Sequence, residues 1–187
     1  LHGDHCFLLL GLLSTFGMLG RTSRLKVFAP ECYASLFEQQ MNFFMQGMTY
    51  EIEFVPVDTT LQKVVYEDHS VTVETVPLRH RVPCCGYIFR EKPTLPHIRR
   101  DMIDYYGIPL SQINNIKNGA DWPTPEGDIV PNSRLVEPAD ASRSYAYCSD
   151  TCYLPDLYER VKDVTVLYHE STYTSENEDR AKIYYHS

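Results

Sequence analysis

His2, Asp4 and His5 fall within four positions at the head of the chain and run straight into an apolar stretch from Cys6 to Leu13. Two imidazoles and a carboxylate so close together are costly to bury without a partner. In a tight turn they converge on one or two cations. Imidazole with carboxylate suits zinc, with manganese or iron as the next choices. The competing explanation is a polar tail that merely contains two histidines, and the apolar stretch behind the cluster argues against it. A site of this kind constrains the whole fold, because distant segments must bring the remaining ligands to the same place.

At 187 residues, 43% of them hydrophobic, the chain can bury a proper core, and a single domain over 1–187 is the default. The net charge of −8 argues against a generally basic coat for nucleic acid. RNA would have to be held at one place, by divalent metal and a local Lys/Arg patch. The six cysteines, Cys6, Cys32, Cys84, Cys85, Cys148 and Cys152, lack the short regular spacing of a secreted disulfide scaffold. They read as reduced, mostly buried thiols of a cytoplasmic protein, with Cys84 and Cys85 on opposite faces of a strand. The run from Cys6 to Leu19 is too short to cross a bilayer and is broken by Gly11 and Gly17. It reads as a buried helix on a sheet, and no membrane partner is expected.

Hydrophobic periodicity places a short strand at Leu25 to Ala29, closed by Pro30, and an amphipathic helix from Glu31 to about Gly47. Three alternating runs, Tyr50 to Val57, Leu61 to Tyr66 and Val71 to Leu78, suggest a meander turning at Asp58-Thr59 and Asp68-His69. Cys85 to Arg90 is a further strand. From Glu91 to Pro138 the chain becomes rich in Pro, Asn, Asp and Gly, with one helical patch at His97 to Tyr106. A stretch of that kind is either a functional protrusion or disorder. Tyr145 to Cys148 and Val164 to Tyr168 read as strands. Leu154 to Val161 and Glu176 to Tyr185 read as helices, the last supported by Glu178 and Lys182 four apart.

Chemistry-bearing residues recur at the ends of these strands. His80 stands between Arg79 and Arg81 after the third run, as surface decoration or as a ligand. Asp150 follows the Tyr145 strand and precedes Thr151, as a helix cap or a metal bridge. His169 and Glu170 close the Val164 strand, and His186 follows the last helix.

Taken in order, His2-Gly3-Asp4-His5, His80-Arg81-Val82-Pro83-Cys84-Cys85-Gly86-Tyr87, Ser149-Asp150-Thr151, His169-Glu170-Ser171-Thr172 and Tyr185-His186-Ser187 resemble the ribonuclease Z family (tRNA 3′-endonucleases) of the metallo-β-lactamase superfamily. The likeness extends along essentially the whole chain. Ser171 replaces the family's Ala, and Leu8 and Leu10 replace its usual Gly and Pro, so the loop after the metal turn differs. The resemblance implies an α/β fold of the αββα sandwich type, two packed mixed sheets flanked by helices, with an arm inserted at 91–138. It further implies that parts of both ends lie outside the chain, including one metal ligand ahead of Leu1 and another beyond Ser187.

Carried over by position, the resemblance implies two zinc ions. His2 and His80 would hold one, Asp4 and His5 the other, and Asp150 would bridge them. The implied reaction is attack of a metal-held hydroxide on the phosphodiester at the 3′ trailer of precursor tRNA, leaving a 3′ hydroxyl. Asp4 would take the nucleophile's proton, and His186 beside Glu170 would protonate the departing oxygen. His169 would serve in catalysis, chiefly as an orienter. Arg99, Arg100 and Lys117 of the arm would bind tRNA phosphates, within a homodimer. A metallo-phosphodiesterase for small phosphodiesters and a metal-free, inactive fragment are the alternatives.

Overall fold

A computed structural model describes residues 2–187. Contacts divide the chain into two compact units: Leu1–Glu67, Thr72–Phe89 and Ser144–Ser187 form the larger, and Asp68–Val71 with Arg90–Arg143 the smaller.

In the larger unit a 3-10 turn at Gly3–His5 leads into helix α1, Leu9–Met18. Helix α1 closes where Gly20 takes a positive φ of 82°. The Arg21 amide donates to the Phe16 carbonyl and the Gly20 amide to that of Gly17, a pairing that needs a left-handed residue just past the helix end. Strand β1 (Leu25–Pro30), helix α2 (Ala34–Phe44) and strand β2 (Ile52–Val57) follow. β1 and β2 pair in parallel, Leu25 against Ile52 through to Pro30 against Val57, as the crossover through α2 requires. Leu13, Val27, Ala29, Tyr33, Phe37 and Met45 form the core between them.

The chain continues through β3 (Val64–Glu67), β4 (Val71–Pro77) and β5 (Cys85–Glu91). After the smaller unit come β10 (Ser144–Cys148), α6 (Leu157–Arg160), β11 (Val166–His169) and α7 (Glu178–Tyr184), numbered in chain order. These strands make a five-stranded sheet in the order β11-β10-β5-β4-β3, with β3 and β4 antiparallel and β10 and β11 parallel. Val76, Ile88, Ala146, Cys148, Leu157 and Val161 fill its core. Gly86 lies so close to β10 that an added Cβ would sit 2.5 Å from the Tyr147 carbonyl oxygen. No larger residue fits between those strands.

The intervening elements belong to the smaller unit: β6 (His97–Ile98), α3 (Arg100–Tyr105), α4 (Ile113–Lys117), β7 (Trp122–Pro123), β8 (Ile129–Val130), α5 (Asn132–Leu135) and β9 (Val136–Glu137). Two short antiparallel pairs, β6 with β9 and β7 with β8, brace the segment. Ile103, Ile108, Ile116, Val130 and Leu135 make its own core. Asn132 ties it together, donating from its side chain to the carbonyls of Ile116 and Ala120. The segment thus forms three short helices and two strand pairs where the sequence suggests a single helical patch.

Several expectations need correction. The run at Tyr50 to Val57 does not join a meander, because α2 carries β2 back to lie parallel with β1. Only β3 and β4 form the expected hairpin, turning at Asp68, whose Oδ1 accepts the amides of Ser70 and Val71. Helix α1 is not buried all round: Leu13 is its one buried residue, while Leu8, Leu12, Met18 and Leu19 are exposed. The Leu154 helix shrinks to the single turn of α6. Of the six free thiols only Cys148 is buried, Cys32 is exposed, and Cys84 lies just ahead of β5 rather than within it. Among the described residues no helix is long and apolar enough to cross a membrane.

Leu135 is fully buried, so Leu135→Ala is expected to cost about 2–5 kcal/mol within the smaller unit. Limited proteolysis should then cut first inside residues 90–143. Unchanged cleavage there would show that this core does not hold the segment together.

Candidate metal centre

The parallel pairing of β10 and β11 sets Cys148 opposite His169, so the next residues of both strands, Asp150 and Glu170 among them, emerge at the same rim. Asp150 has a φ of 57°, a left-handed conformation that Asp tolerates better than most residues. No helix starts beside it, since α6 begins only at Leu157. Of the two roles open to Asp150 from sequence, the helix cap is therefore excluded.

Thr151, fully buried, ties the surrounding loops together. Its amide donates to Glu170 Oε1 at 2.6 Å, and its hydroxyl accepts the Arg79 amide at 3.2 Å. Its carbonyl accepts the Ser187 hydroxyl at 2.8 Å. The Cys152 amide adds a bond to the Arg79 carbonyl. The loop after β4, the loop after β10 and the last residues of the chain are thereby fastened to one another, and His80 and His186 are positioned by what they are fastened to.

His80 donates from Nδ1 to the Tyr185 carbonyl at 2.9 Å. That bond fixes its tautomer and leaves the Nε2 lone pair aimed at His2 Nδ1, 3.3 Å away. Tyr185 reaches this position through its own left-handed backbone, φ 60°. On the other side of the cluster His5 Nε2 lies 2.8 Å from Asp150 Oδ2. Donor atoms of His2, His80 and Asp150 all lie within 4.8 Å of one another. Two nitrogens bound to a tetrahedral zinc at about 2.0–2.1 Å stand about 3.4 Å apart, which is close to the His2–His80 spacing. The two imidazoles of His2 and His80 with the Asp150 carboxylate therefore fit a zinc-like cation in both chemistry and spacing, with His5 on the other side of the Asp150 carboxylate.

Asp4 is placed less centrally. Its Oδ2 lies 3.6 Å from His5 Nε2, and its side chain is 77% exposed. A second group of close donors joins Asp150 to Glu170 and His186, yet the Glu170 carboxylate is already engaged. It accepts the Thr151 amide, the Thr172 hydroxyl at 2.6 Å and the His186 Nδ1–H at 2.9 and 3.0 Å to its two oxygens. Burial opposes its charge, but the hydrogen bonds from Thr172, Thr151, His186 and the Ser187 amide outweigh it and hold the carboxyl below its ordinary value. Glu170 is thus an ionised anchor for His186 through its Nδ1. His169 donates from Nδ1 to the Glu170 carbonyl at 2.7 Å, a bond that orients its ring. The His80 and His186 rings are 4.9 Å apart.

In the smaller unit, Arg99 pairs with Asp101 at 3.0 Å, which offsets its charge locally. Arg100 is exposed at the start of α3 and Lys117 half-buried in the last turn of α4. Thr151, Thr172 and the Tyr185 carbonyl are the contributors that sequence reasoning passed over. The threonines stood inside quoted motifs without a role, and a backbone carbonyl leaves no trace in residue type.

A cavity of about 300 Å³ opens beside the cluster, lined by His2, His5, His80 and Asp150 and walled by Tyr33, Cys84 and Tyr87. Burial pushes the Cys84 thiol up to about 11, with Cys85 and Asp150 adding to the shift. At pH 8 Cys84 should therefore resist alkylation while exposed Cys32 reacts, as peptide mapping of iodoacetamide-treated protein would reveal. Cys84 labelling first would refute the cavity's character. Glu170→Gln is expected to lower stability at pH 7 by about 1–3 kcal/mol. The carboxylate's contribution is complete above its unfolded value of 4.5 and is lost as pH falls through the lower folded value. Urea melts should therefore show the gap to wild type closing in acid, and a gap that stays constant would contradict an ionised Glu170.

No family model matches the chain. Its whole length aligns with curated proteins named ribonuclease Z. Identity is 49% to that of Bacteroides fragilis strain YCH46, covering 62% of the relative. It is 50% to that of Phocaeicola vulgatus, covering 60%, and 42% to that of Porphyromonas gingivalis strain W83, covering 62%. The chain spans about three fifths of the length of these relatives. Its fold is similar to the crystal structure of human tRNase Z, short form (ELAC1), with a TM-score of 0.60 and 16% identity over all of this chain and 61% of that one. That likeness agrees with the expected metallo-β-lactamase arrangement of mixed sheets and helices. Along its whole length the chain is thus similar to about three fifths of these ribonuclease Z proteins, on a fold like that of the human enzyme.

Proposed function

We propose that this chain is the metal-binding and catalytic part of a cytoplasmic endoribonuclease that removes the 3′ trailer of precursor tRNA. The observation that supports this reading best is the gathering of His2, His5, His80 and Asp150 at one rim, next to a His186 anchored on a buried carboxylate. The relatives' name, ribonuclease Z, agrees with it.

Two zinc ions held by His2, Asp4, His5, His80 and Asp150 would supply a water acidified to near-neutral pKa and would neutralise charge on the scissile phosphate. The protein's own groups do the rest. Asp4, exposed at the edge of the cluster, accepts a proton from the attacking water. His186 gives a proton from Nε2 to the departing 3′ oxygen, because Glu170 occupies Nδ1 and stabilises the imidazolium before transfer. An imidazole suits that step because its ordinary pKa lies near working pH. His169 keeps the Glu170 loop in register. Arg99, Arg100 and Lys117 of the smaller unit offer cations to tRNA phosphates, and the protein works as a homodimer.

Asp150→Ala in the intact protein is expected to lower cleavage of a 3′-extended tRNA transcript by at least about a thousandfold, as a metal-positioning loss of this kind implies. Bound zinc, measured by plasma emission, should fall with it. Near-normal cleavage by that variant would refute the two-metal assignment. Removing residues 93–131 should impair tRNA cleavage far more than hydrolysis of a small chromogenic phosphodiester. Equal losses on both substrates would count against substrate gripping by the smaller unit.

A further inference from the structure

The chain passes between the two units after Glu67, Val71, Phe89 and Arg143. A segment inserted between two strands needs only the last two of these passages. The first two exist because the turn Asp68–Val71, at the tip of the β3–β4 hairpin, belongs with the smaller unit and not with the sheet that carries it.

The reason lies in its hydrogen bonds. At the root of the smaller unit the Glu91 amide donates to the Arg143 carbonyl at 2.9 Å, and the Arg143 amide donates to Glu91 Oε2 at 2.9 Å. Those bonds tie the outgoing chain to the returning chain. One residue further out, the Lys92 amide donates to the Ser70 carbonyl at 2.8 Å, which adds the turn as a third stretch. A pair of strands on its own is marginally stable in water, and a third helps such a piece hold its shape.

The turn can brace the root because its own backbone is fixed. Asp68 Oδ1 accepts the Ser70 amide at 2.7 Å, the Ser70 hydroxyl at 2.9 Å and the Val71 amide at 2.8 Å. The Asp68 amide in turn donates to the Val71 carbonyl at 3.0 Å. An aspartate that bonds the backbone two residues on shapes a turn without glycine, and here it holds the Ser70 carbonyl where Lys92 meets it.

We infer that Asp68 is a positioning residue for tRNA: it locks the turn that braces the root of the smaller unit, so that the cations of that unit meet a large substrate together. This role rests on the nuclease reading and on the smaller unit's part in gripping tRNA. Asp68 itself touches no substrate. Loss of the lock returns conformational freedom to the root, and that freedom must be given up again each time tRNA binds. The cost falls on binding, and the chemistry at the metal centre is unchanged.

The test uses Asp68→Ala and Asp68→Asn in the intact, zinc-loaded protein, since asparagine keeps a side-chain carbonyl that accepts the same backbone donors. Amide hydrogen exchange at Lys92 should be about 3- to 30-fold faster in Asp68→Ala, the scale of a lost hydrogen-bonded lock, and close to wild type in Asp68→Asn. With a 3′-extended tRNA transcript, KM should rise about 3- to 30-fold in the alanine variant at unchanged kcat, and Asp68→Asn should restore it. Hydrolysis of a small chromogenic phosphodiester should be the same in all three proteins. An unchanged KM in Asp68→Ala, or equal losses on the two substrates, would overturn the positioning role. So would unaltered exchange at Lys92. A zinc-loaded protein whose Lys92 exchange responds to Asp68 but which cuts no tRNA trailer would sink the nuclease reading instead and leave the brace standing.

Discussion

The buried carboxylate of Glu170 is the fixed point of this rim. It is nearly sealed from water and keeps its charge because four donors surround it: the Thr151 and Ser187 amides, the Thr172 hydroxyl and the His186 ring. A charge at such a position is unfavourable unless its acceptor sites are filled. Three separate stretches of chain are therefore obliged to meet there. The loop after β10 arrives through Thr151, the turn after β11 through Thr172, and the residues after α7 through His186.

Thr151 extends the same constraint to the metal cluster. Its hydroxyl accepts the Arg79 amide, which sets the loop carrying His80, and its neighbour Asp150 supplies the carboxylate facing His5. Tyr185 closes the ring of interactions by giving its carbonyl to His80 one residue ahead of the histidine that Glu170 holds. The candidate cation ligands and the proposed proton donor thus share one hydrogen-bonded frame, a situation in which substitutions are expected to couple rather than add. Two of the left-handed residues, Asp150 and Tyr185, stand within this frame. Strain of that sort persists only where the surroundings over-determine the backbone.

The smaller unit follows a different logic. Its elements are two to six residues long, too short to be stable alone, and are held by the cluster around Ile116 and Leu135 with Asn132 bridging two carbonyls. Composition rich in Pro, Asn and Gly hides such a unit from sequence reading, because the few apolar residues that matter lie far apart. Helix α1 shows the reverse error. Its mean apolarity reads as full burial, whereas only Leu13 is buried and Leu9 and Leu10 pack partly against the core, and an apolar stretch without a polar stripe gives no sign of which side is covered.

What the residues determine by themselves is a set of candidate chemical groups and the places where they leave the sheet. The His2-Gly3-Asp4-His5 cluster stood out by itself, whereas His80, Asp150, Glu170 and His186 each had another explanation and stood out only as an ordered set of motifs. Alternation of apolar residues likewise located the strands of the five-stranded sheet. Their partnerships belong to the tertiary structure alone. The pairing of β2 with β1 instead of β3, the tautomer of His80 and the use of Glu170 as an anchor for His186 all depend on contacts between residues far apart in sequence. Backbone groups make many of those contacts, and a backbone amide or carbonyl is the same in every residue type, so no reading of side chains foretells which of them will meet.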